Sequence, residues 1–294
     1  MRIIKKCMEL MVIFGFKTKI TWFLSDDIYL KMVYRIFLDH KLDINNPKTY
    51  NEKLQWLKIN DRKSFYTKCA DKYEARSFVE NVVGKEYLVP LIGVYENIDD
   101  IKFEELPNEF VLKTTHDSGG VVVCFDKTNI DINKVKRKIK WSLNRKYFYL
   151  WREWPYKNIK PKIICEKKLG SKGSVPIDYK VLCFNGKAEF IEVHTDRMNE
   201  HKQAIYDVKG NLTNINNIGY TSSGFDKTMK ISFLDEMLEL ANKIAEYFIH
   251  IRVDFFYCDD KLYVGELTFY DGAGFVPWEN DGDEKLGNYL KLDI

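Results

Sequence analysis

The sequence lacks the closely spaced cysteine pairs that structural zinc sites and thioredoxin-type redox motifs require. Six cysteines are spread over 294 residues, and no two of them form a C-x-x-C pair. Cys124, Cys165 and Cys183 fall inside apolar, strand-like segments, where a reduced and buried thiol is the ordinary expectation. This pattern favours a protein of the reducing cytoplasm.

The chain also lacks an excess of either charge. It carries 46 Lys and Arg against 43 Asp and Glu, which gives a formal net charge of +3. Proteins that bind nucleic acid usually present a clear basic excess. We therefore expect no nucleic-acid partner.

No apolar stretch is long enough to cross a bilayer, which takes about 20 residues. The best candidate, residues 7–16, is short and contains Glu9, and it is followed by Lys17 and Lys19 rather than a small-residue cleavage site. Two interpretations remain. The segment is either a helix that packs on the protein body or an interfacial helix on the inner membrane face, helped by the basic residues that precede it.

Hydrophobic periodicity divides the chain into a helical N-terminal part and a series of strands and helices. Thr49 and Glu52 have the spacing of a helix capping box, and apolar residues at helical spacing predict a helix over 232–248. Asn185-Gly186 predicts a hairpin turn. Further helices are expected at 71–82 and 130–144, and strands at 87–95, 110–113, 121–125, 162–169, 179–184, 189–194, 203–206, 251–257 and 262–269. Such a mixture is typical of an α+β or α/β enzyme.

The strongest chemical signal is the C-terminal hairpin. Side chains alternate along a strand, so a loop centred on Asp260 places Asp254 opposite Glu266 and Arg252 opposite Thr268. Two neighbouring carboxylates repel unless a cation lies between them, and hard oxygen ligands suit Mg²⁺. The pattern predicts a magnesium site. The alternative is a pair of surface strand residues with independent partners.

A second signal is a glycine-bearing loop between two short strands. Lys113 ends the first strand, and Ser118, Gly119 and Gly120 precede the second. Backbone N–H groups of such a loop can bind phosphate oxygens, while the lysine adds a point charge. The spacing is neither that of a P-loop nor that of a Rossmann fingerprint, so a plain hairpin is an equal alternative on this evidence.

A third signal is the end of the apolar strand at 163–165. The segment from Glu166 to Leu169 can offer backbone groups to the edge of an adenine ring, and Asp178 can bind ribose hydroxyls. On its own this segment does not distinguish a nucleotide hinge from an ordinary strand end.

Taken in order, these segments resemble the ATP-grasp superfamily and, more narrowly, the TupA-like ATP-grasp proteins of bacterial cell-surface polysaccharide gene clusters. The resemblance covers about residues 45–270 and rests on the motifs at 46–56, 71–76, 106–113, 116–119, 153–156, 161–166, 178–180, 183–186, 252–255 and 265–270. It implies an α+β, ATP-grasp fold in which two α+β lobes hold ATP between them. The implied domains are a helical N-terminal region (1–105), a small lobe with the glycine loop (106–168) and a C-terminal lobe with the metal site (169–294).

The resemblance also implies how ATP is bound. Lys113 would contact the phosphates, and the loop around Gly119 would close over the β- and γ-phosphates. The full set of implied ATP-binding residues is Lys113, Ser118, Gly119, Gly120, Glu166, Lys167, Lys168, Leu169 and Asp178.

For catalysis, the resemblance implies that Asp254 and Glu266 hold Mg²⁺. Thr268 would be a weaker third ligand at a position that is often Asn in the superfamily. Arg252 would stabilise the acyl phosphate or the tetrahedral state. The other implied catalytic residues are Lys180, as a phosphate or substrate contact, and His116, as a base or phosphate contact, although a lone loop histidine more often has neither role.

The implied activity is an ATP-dependent carboxylate–amine ligase. It would join an amine or amino acid to a nucleotide- or lipid-linked sugar acid during capsule, O-antigen or cell-wall polysaccharide synthesis. One alternative is a glycosyltransferase, but its D-x-D-like metal site has no match beyond Asp259-Asp260, which looks like a turn. Another is a non-catalytic assembly protein that retains the fold.

An aromatic and basic segment at 141–157 has no role in these motifs. We predict that it lines the cleft and meets an anionic sugar acceptor through Trp151 and Trp154. Arg197, after a strand end, is a further candidate for the substrate carboxylate, with a solvated surface arginine as the equal alternative.

Overall fold

The computed structural model describes residues 2–170, 175–195 and 201–294, with side chains from Leu10 onward. The helices in the described ranges are α1 (Arg2–Lys17), α2 (Asp26–Leu38), α3 (Tyr50–Asn60), α4 (Ser64–Ala70), α5 (Ala75–Val82), α6 (Ile132–Leu143), α7 (Phe148–Trp151), α8 (Leu234–Ala245) and α9 (Gly282–Tyr289). The strands are β1 (Leu91–Tyr95), β2 (Phe110–Thr114), β3 (Val121–Cys124), β4 (Ile163–Lys167), β5 (Asp178–Phe184), β6 (Lys187–Thr195), β7 (Lys202–Asp207), β8 (His250–Cys258) and β9 (Lys261–Thr268).

The strands form two antiparallel sheets. The smaller has the order β1-β4-β2-β3, and the larger has the order β7-β6-β5-β8-β9. The chain passes from one sheet to the other between Lys167 and Asp178, close to the predicted boundary at 168/169. Strand β1 comes from the segment assigned to the N-terminal region, yet it pairs with β4 in the smaller sheet.

The larger sheet has one face on a helix and the other on a polar cleft. Helix α8 supplies Met237, Leu240 and Ile244 at helical spacing to the apolar face, which confirms the predicted helix. Every side chain of β5 is buried, including those of Asp178 and Lys180, which lie on the same face of the strand. These two charged side chains therefore lie in a covered site rather than in open solvent.

The smaller sheet is covered by α6. Ile139 of this helix packs with Phe110, Leu112 and Cys165 in a separate apolar core. Burial raises the pKa of the Cys165 thiol to about 12. This thiol is free and buried, as the sequence predicted.

Helix α3 attaches the N-terminal region to the C-terminal segment. Its capping box is present, with Thr49 and Glu52 each accepting from the other's backbone as predicted. Lys53 donates to the carbonyl oxygens of Gly287 (2.8 Å) and Leu290 (2.7 Å), at the end of α9. These two hydrogen bonds fix the end of α9 against α3.

Lys58, also on α3, is fully buried and holds the turn that follows β9. Its ammonium donates to Gln55 Oε1 at 2.9 Å and to the carbonyl oxygens of Trp151 and Ala273, each at 2.8 Å. Burial lowers the pKa of Lys58 to about 7. These contacts fix the turn that carries Asp271 into the cleft.

The helix predicted over 71–82 begins only at Ala75, and residues 71–74 form a turn between α4 and α5. Asp71 ends α4, and its Oδ1 accepts from the backbone N–H groups of Tyr73 (2.8 Å) and Glu74 (3.2 Å) before α5 begins. The resulting turn directs Lys72 into the cleft.

Candidate active site

A cleft of about 650 Å³ lies between the two sheets. It is lined by most of the residues that the sequence singled out. They are Lys113, Ser118, Glu166, Lys167, Lys168, Leu169, Asp178, Lys180, Arg252, Asp254 and Glu266. Residues as far apart in the sequence as Lys113 and Glu266 thus meet in one cavity.

Asp254 and Glu266 lie directly opposite each other on β8 and β9, and Arg252 lies opposite Thr268, as predicted. These pairs form in a different way from the one predicted, which centred the loop on Asp260. Asp259 and Asp260 form a two-residue turn, and the register shifts by one position beyond it, where the pairing passes over Gly265.

Gly265 is suited to this bulge because a side chain has no space there. A Cβ at this position would lie 2.5 Å from the ring of Phe256. The turn and the bulge together place the two carboxylates face to face.

Three charge-assisted hydrogen bonds hold Asp254. Arg252 donates to it through Nε (2.7 Å) and Nη2 (2.8 Å), and Lys180 donates at 2.5 Å. Burial alone would raise the pKa of Asp254, but Arg252 and Lys180 outweigh it and lower this pKa to about 2. Asp254 is therefore ionised at neutral pH.

Arg252 is shared between two carboxylates. It also donates to Asp271, and its Nη2 lies 3.1 Å from Thr268 Oγ1. The Thr268 hydroxyl therefore accepts from the guanidinium and is not among the residues that line the cleft. This contact makes Thr268 a support for Arg252 in the structure, whereas the sequence suggested a metal ligand.

Charged side chains of both signs line the cleft in equal number. The carboxylates are those of Glu166, Asp178, Glu192, Asp254, Glu266 and Asp271, and the cations are those of Lys72, Lys113, Lys167, Lys168, Lys180 and Arg252. Burial raises the pKa of Glu192 and of Asp271.

Asp254 and Glu266 could form part of a cation site that a bound ligand completes. Within residues 2–170, 175–195 and 201–294, no group of three or more His, Cys, Asp or Glu side chains is arranged to hold a metal ion. Mg²⁺ is commonly bound by one or two carboxylates together with water and substrate phosphates. Asp254 and Glu266 fit that description.

On the smaller sheet, Lys113 and Glu166 lie side by side. Lys113 Nζ is 2.7 Å from Glu166 Oε2, and Arg76 Nη1 is 3.0 Å from Glu166 Oε1. Arg76 also donates to the carbonyl oxygen of Val89 at 2.8 Å. The carboxylate thus positions Lys113 at the wall of the cleft, where its charge can meet an anionic ligand.

The same end of the cleft has apolar walls. Val111 and Val123 come from the smaller sheet, Leu169 from the segment after β4, and Phe256 from the larger sheet. Lys167 and Lys168 also line the cleft. Opposed apolar surfaces next to backbone polar groups suit a flat heteroaromatic ring.

The glycine loop is organised by the buried carboxylate of Asp117. Thr114 and Ser142 donate to it through their hydroxyl groups, and Arg145 Nη1 lies 3.3 Å from its Oδ2. Arg145 also donates to the carbonyl oxygen of Ser118 at 3.0 Å. The loop is therefore anchored to α6 and the residues just after it.

The two glycines of the loop have different constraints. A Cβ on Gly120 would lie 1.8 Å from Thr114 Oγ1, so this position has no space for a side chain. Gly119 is exposed, has a φ of +89° and would meet nothing within 4 Å. Gly120 is thus needed for packing, and Gly119 for its backbone conformation.

Lys72 connects the loop to the carboxylate pair. Its ammonium donates to the carbonyl oxygen of Asp117 at 2.7 Å and lies 3.2 Å from Glu266 Oε1. The sequence marked this residue only as part of the motif at 71–76 and gave it no role. The turn between α4 and α5 brings Lys72 into the cleft.

Several sequence-predicted residues are not brought to the cleft. His116 is buried beside Arg145, whose carbonyl oxygen lies 3.1 Å from its Nε2, and burial lowers its pKa. Trp151 packs edge-on against Phe37, and Trp154 packs on the large apolar core. The prediction that both tryptophans line the cleft is wrong because their rings fill apolar contacts behind it.

Arg197 lies outside the described residues. Conversely, sequence reasoning missed Asp117, Glu192 and Asp271. The available signal for Glu192 was its place between Ile191 and Val193 in β6, since a carboxylate is seldom fully buried.

A sequence model of the TupA-like ATP-grasp family matches residues 52–291 of this chain. Among solved structures, the chain is similar to D-alanine–D-alanine ligase from Bacillus anthracis complexed with ATP, with 15% identity, a TM-score of 0.41 and coverage of 68% of this chain and 53% of that one. It is also similar to N5-carboxyaminoimidazole synthetase from Staphylococcus aureus, with 17% identity, a TM-score of 0.41 and coverage of 68% and 44%.

A third similar structure is the VanG D-Ala:D-Ser ligase from Enterococcus faecalis, with 12% identity, a TM-score of 0.45 and coverage of 76% and 60%. The chain spans about half the length of the first of these structures. No protein with a curated description matches it.

Proposed function

The chain belongs to the TupA-like ATP-grasp family, and from this membership we propose that it is an ATP-dependent carboxylate–amine ligase. The observation that carries the proposal is the cleft itself. Lys113 of the smaller sheet and the Asp254–Glu266 pair of the larger sheet line it together, which supports the proposal. A nucleotide held between the lobes would have its phosphates between these groups.

The ATP-binding residues would be those on the smaller sheet and the segment after it. Lys113 and the loop around Ser118 would bind the phosphates, and Leu169 and Phe256 would enclose the adenine. Asp178, at the start of β5, would bind the ribose.

Asp254 and Glu266 would hold Mg²⁺, since these two carboxylates lie face to face in the cleft. When bound, the ion would neutralise phosphate charge. Arg252 and Lys180 are already fixed beside Asp254 and would stabilise the charge that develops during transfer. The donors need little reorganisation, because their hydrogen bonds to buried carboxylates hold them in place.

The reaction would be the formation of an amide. The substrate carboxylate takes the γ-phosphoryl group of ATP and ADP leaves, and an amine then displaces phosphate from the acyl phosphate. We propose an amino acid or amine as the nucleophile and a nucleotide- or lipid-linked sugar acid as the carboxylate, in cytoplasmic synthesis of capsule, O-antigen or cell-wall polysaccharide. This choice of substrates follows from the family resemblance alone.

The glycosyltransferase alternative has less support. Asp259 and Asp260, the pair that a D-x-D-like site would need, form the exposed turn of the β8–β9 hairpin. This turn lies at the opposite end of β8 (nine residues) and β9 (eight residues) from Asp271, and neither aspartate lines the cleft.

The test of the proposal is release of ADP by the purified protein with Mg²⁺, ATP and a panel of uronic acids and amines. We expect release that requires both a carboxylate and an amine. Turnover of a UDP-sugar while ATP is untouched would overturn the ligase proposal, and ATP binding without any turnover across the panel would favour a non-catalytic protein.

We also propose that the N-terminal helices contact the inner membrane face. Eight large apolar side chains near the N-terminus are exposed: Leu10, Met11, Ile13, Phe14, Ile20, Phe23, Ile28 and Met32. Phe23 is 93% exposed, and the exposed Lys17 and Lys19 lie between the apolar positions. Apolar side chains next to lysines suit an anionic lipid surface. None of the described helices is both long and apolar enough to span a bilayer.

Replacing Phe14 and Phe23 together by serine is expected to lower binding to vesicles of 30% phosphatidylglycerol and 70% phosphatidylcholine by about tenfold, since two buried aromatic rings would be lost. Co-sedimentation measures this. The Tyr247→Ser variant, which changes an aromatic residue 52% exposed elsewhere, should bind as the wild type does. Equal binding by the double variant, or no binding by the wild type, would contradict the proposal.

A further inference from the structure

The cleft continues past the proposed phosphate site onto β6 and β7. Glu192 on β6 lies opposite Lys180 on β5, which in turn lies opposite Asp254 on β8. Glu192 is therefore two strands from Asp254, about 10 Å across the sheet. This end of the cleft has no part in the binding of ATP or Mg²⁺ proposed above.

Glu192 is buried at this end and is held by its neighbours. Its side chain is 3% exposed, and Oε1 accepts from Gln203 Nε2 at 3.1 Å. His194 Nε2 lies 3.5 Å from Oε2, and His194 Nδ1 lies 2.9 Å from His201 Nε2. A carboxylate is thus fixed in a polar corner of the cavity.

The side-chain oxygen of Gln203 is a hydrogen-bond acceptor that no donor among the described residues reaches. The residue is 5% exposed, it lines the cleft, and its Oε1 has no hydrogen-bond partner among the described residues. A buried polar atom without a partner costs free energy, which a ligand that donates a hydrogen bond would recover. This corner of the cleft therefore suits a ligand group that donates a hydrogen bond rather than one that accepts it.

An aromatic ring closes the corner. Tyr220 lines the cleft, and its ring centroid lies 4.7 Å from that of His201 and 6.2 Å from that of His194. His194 lies between this ring and the Glu192 carboxylate, since it contacts both, and an aromatic face together with a carboxylate in one corner suits an organic cation. An anionic ligand would instead be repelled by Glu192.

We propose that Glu192, Gln203 and Tyr220 form a subsite for the amine substrate, which binds as an ammonium ion. The inference rests on the proposed ligase function for the identity of the ligand as the nucleophile. It also assigns the two substrates to different sides of Lys180. The sugar acid lies toward Arg252 and Lys180, and the amine lies toward Glu192.

The probe for this subsite is ethanolamine, a cation without a carboxylate, observed by ligand-detected NMR with the full chain. Ethylene glycol is its neutral counterpart. We expect ethanolamine to bind and ethylene glycol to bind at least about tenfold more weakly, because a charged hydrogen bond is lost. The Glu192→Gln variant should bind ethanolamine at least about tenfold more weakly than the wild type.

Glu189→Gln is the matched control, since this residue is on the same strand but does not line the cleft. It should bind ethanolamine as the wild type does. Gln203→Met removes the acceptor without changing charge, and it should weaken ethanolamine binding about threefold or more. It provides a second readout if Glu192→Gln does not fold.

Unchanged ethanolamine affinity in both variants, or equal affinity for ethylene glycol, would overturn the subsite. Measurement of ADP binding on the same samples separates this result from the proposed function. We expect ADP affinity to be equal in the wild type and all three variants. If the wild type binds ethanolamine but does not bind ADP, the ligase proposal is rejected and a cation subsite is kept.

Discussion

Replacing Glu266 by Gln is expected to reduce Mg²⁺-dependent ATP turnover by at least about a hundredfold. The substitution keeps the shape of the side chain but removes one of the two charges proposed to hold the ion. Glu266 is the better of the pair to change, because its side chain is 31% exposed, whereas Asp254 anchors both Arg252 and Lys180. The fold should therefore tolerate the change.

The measurement is ADP release over a range of Mg²⁺ concentrations, with Glu284→Gln on the exposed face of α9 as the control. Glu266 also pairs with Lys72, so a purely structural role has to be distinguished. Loss of a metal ligand raises the Mg²⁺ concentration needed for half-maximal turnover. If turnover falls while this concentration is unchanged, Glu266 acts through Lys72 and the glycine loop, and the metal assignment is wrong.

The part of the site that could be predicted from the sequence is the part that depends on local rules. Alternation along two strands and one tight turn were enough to pair Asp254 with Glu266. The prediction gave the right pairs although it placed the centre of the loop at Asp260. The bulge at Gly265 compensates for the shorter turn, and nothing in the local pattern requires a bulge at that glycine.

The part that could not be predicted depends on how distant elements pack. Lys72 reaches Glu266 because α4 and α5 are separated by a turn, and Glu192 enters the cleft because β6 pairs with β5. The tryptophans at 151 and 154 were assigned to the cleft from their composition, which cannot distinguish a sugar-binding surface from the packing of helices. In the glycine loop, the side chain of Asp117 is buried and that of Ser118 is exposed. The contacts of the loop with α6 and with Arg145 just after it determine this difference.

Replacing Arg252 by Met is expected to lower the free energy of unfolding at pH 7 by about 3–5 kcal/mol, the usual cost of removing one partner from a buried ion pair. The side chain is 12% exposed and donates to Asp254 and Asp271, and Lys180 would remain as the cation that contacts Asp254. Arg252→Lys keeps the charge but loses the two-pronged contact with Asp254, so we expect an intermediate loss.

The loss should depend on pH, and its sign follows from the two carboxyl groups. In the wild type the pKa of Asp254 is about 2, below its ordinary value of 3.8, so its contribution to stability is complete above pH 3.8 and is lost as the pH falls toward 2. Burial already raises the pKa of Asp271, and without Arg252 both carboxyl groups should bind protons more tightly in the folded state than in the unfolded state.

The variant should therefore lose stability as the pH rises, and the difference from the wild type should be smaller at pH 4.5 than at pH 7. Urea unfolding followed by tryptophan fluorescence at both pH values measures the difference. Arg137→Met, on the exposed face of α6, is the matched control and should change stability by less than about 0.5 kcal/mol at either pH. A difference that is equal at the two pH values would mean that Arg252 stabilises the fold by packing and not by compensating the charges of Asp254 and Asp271.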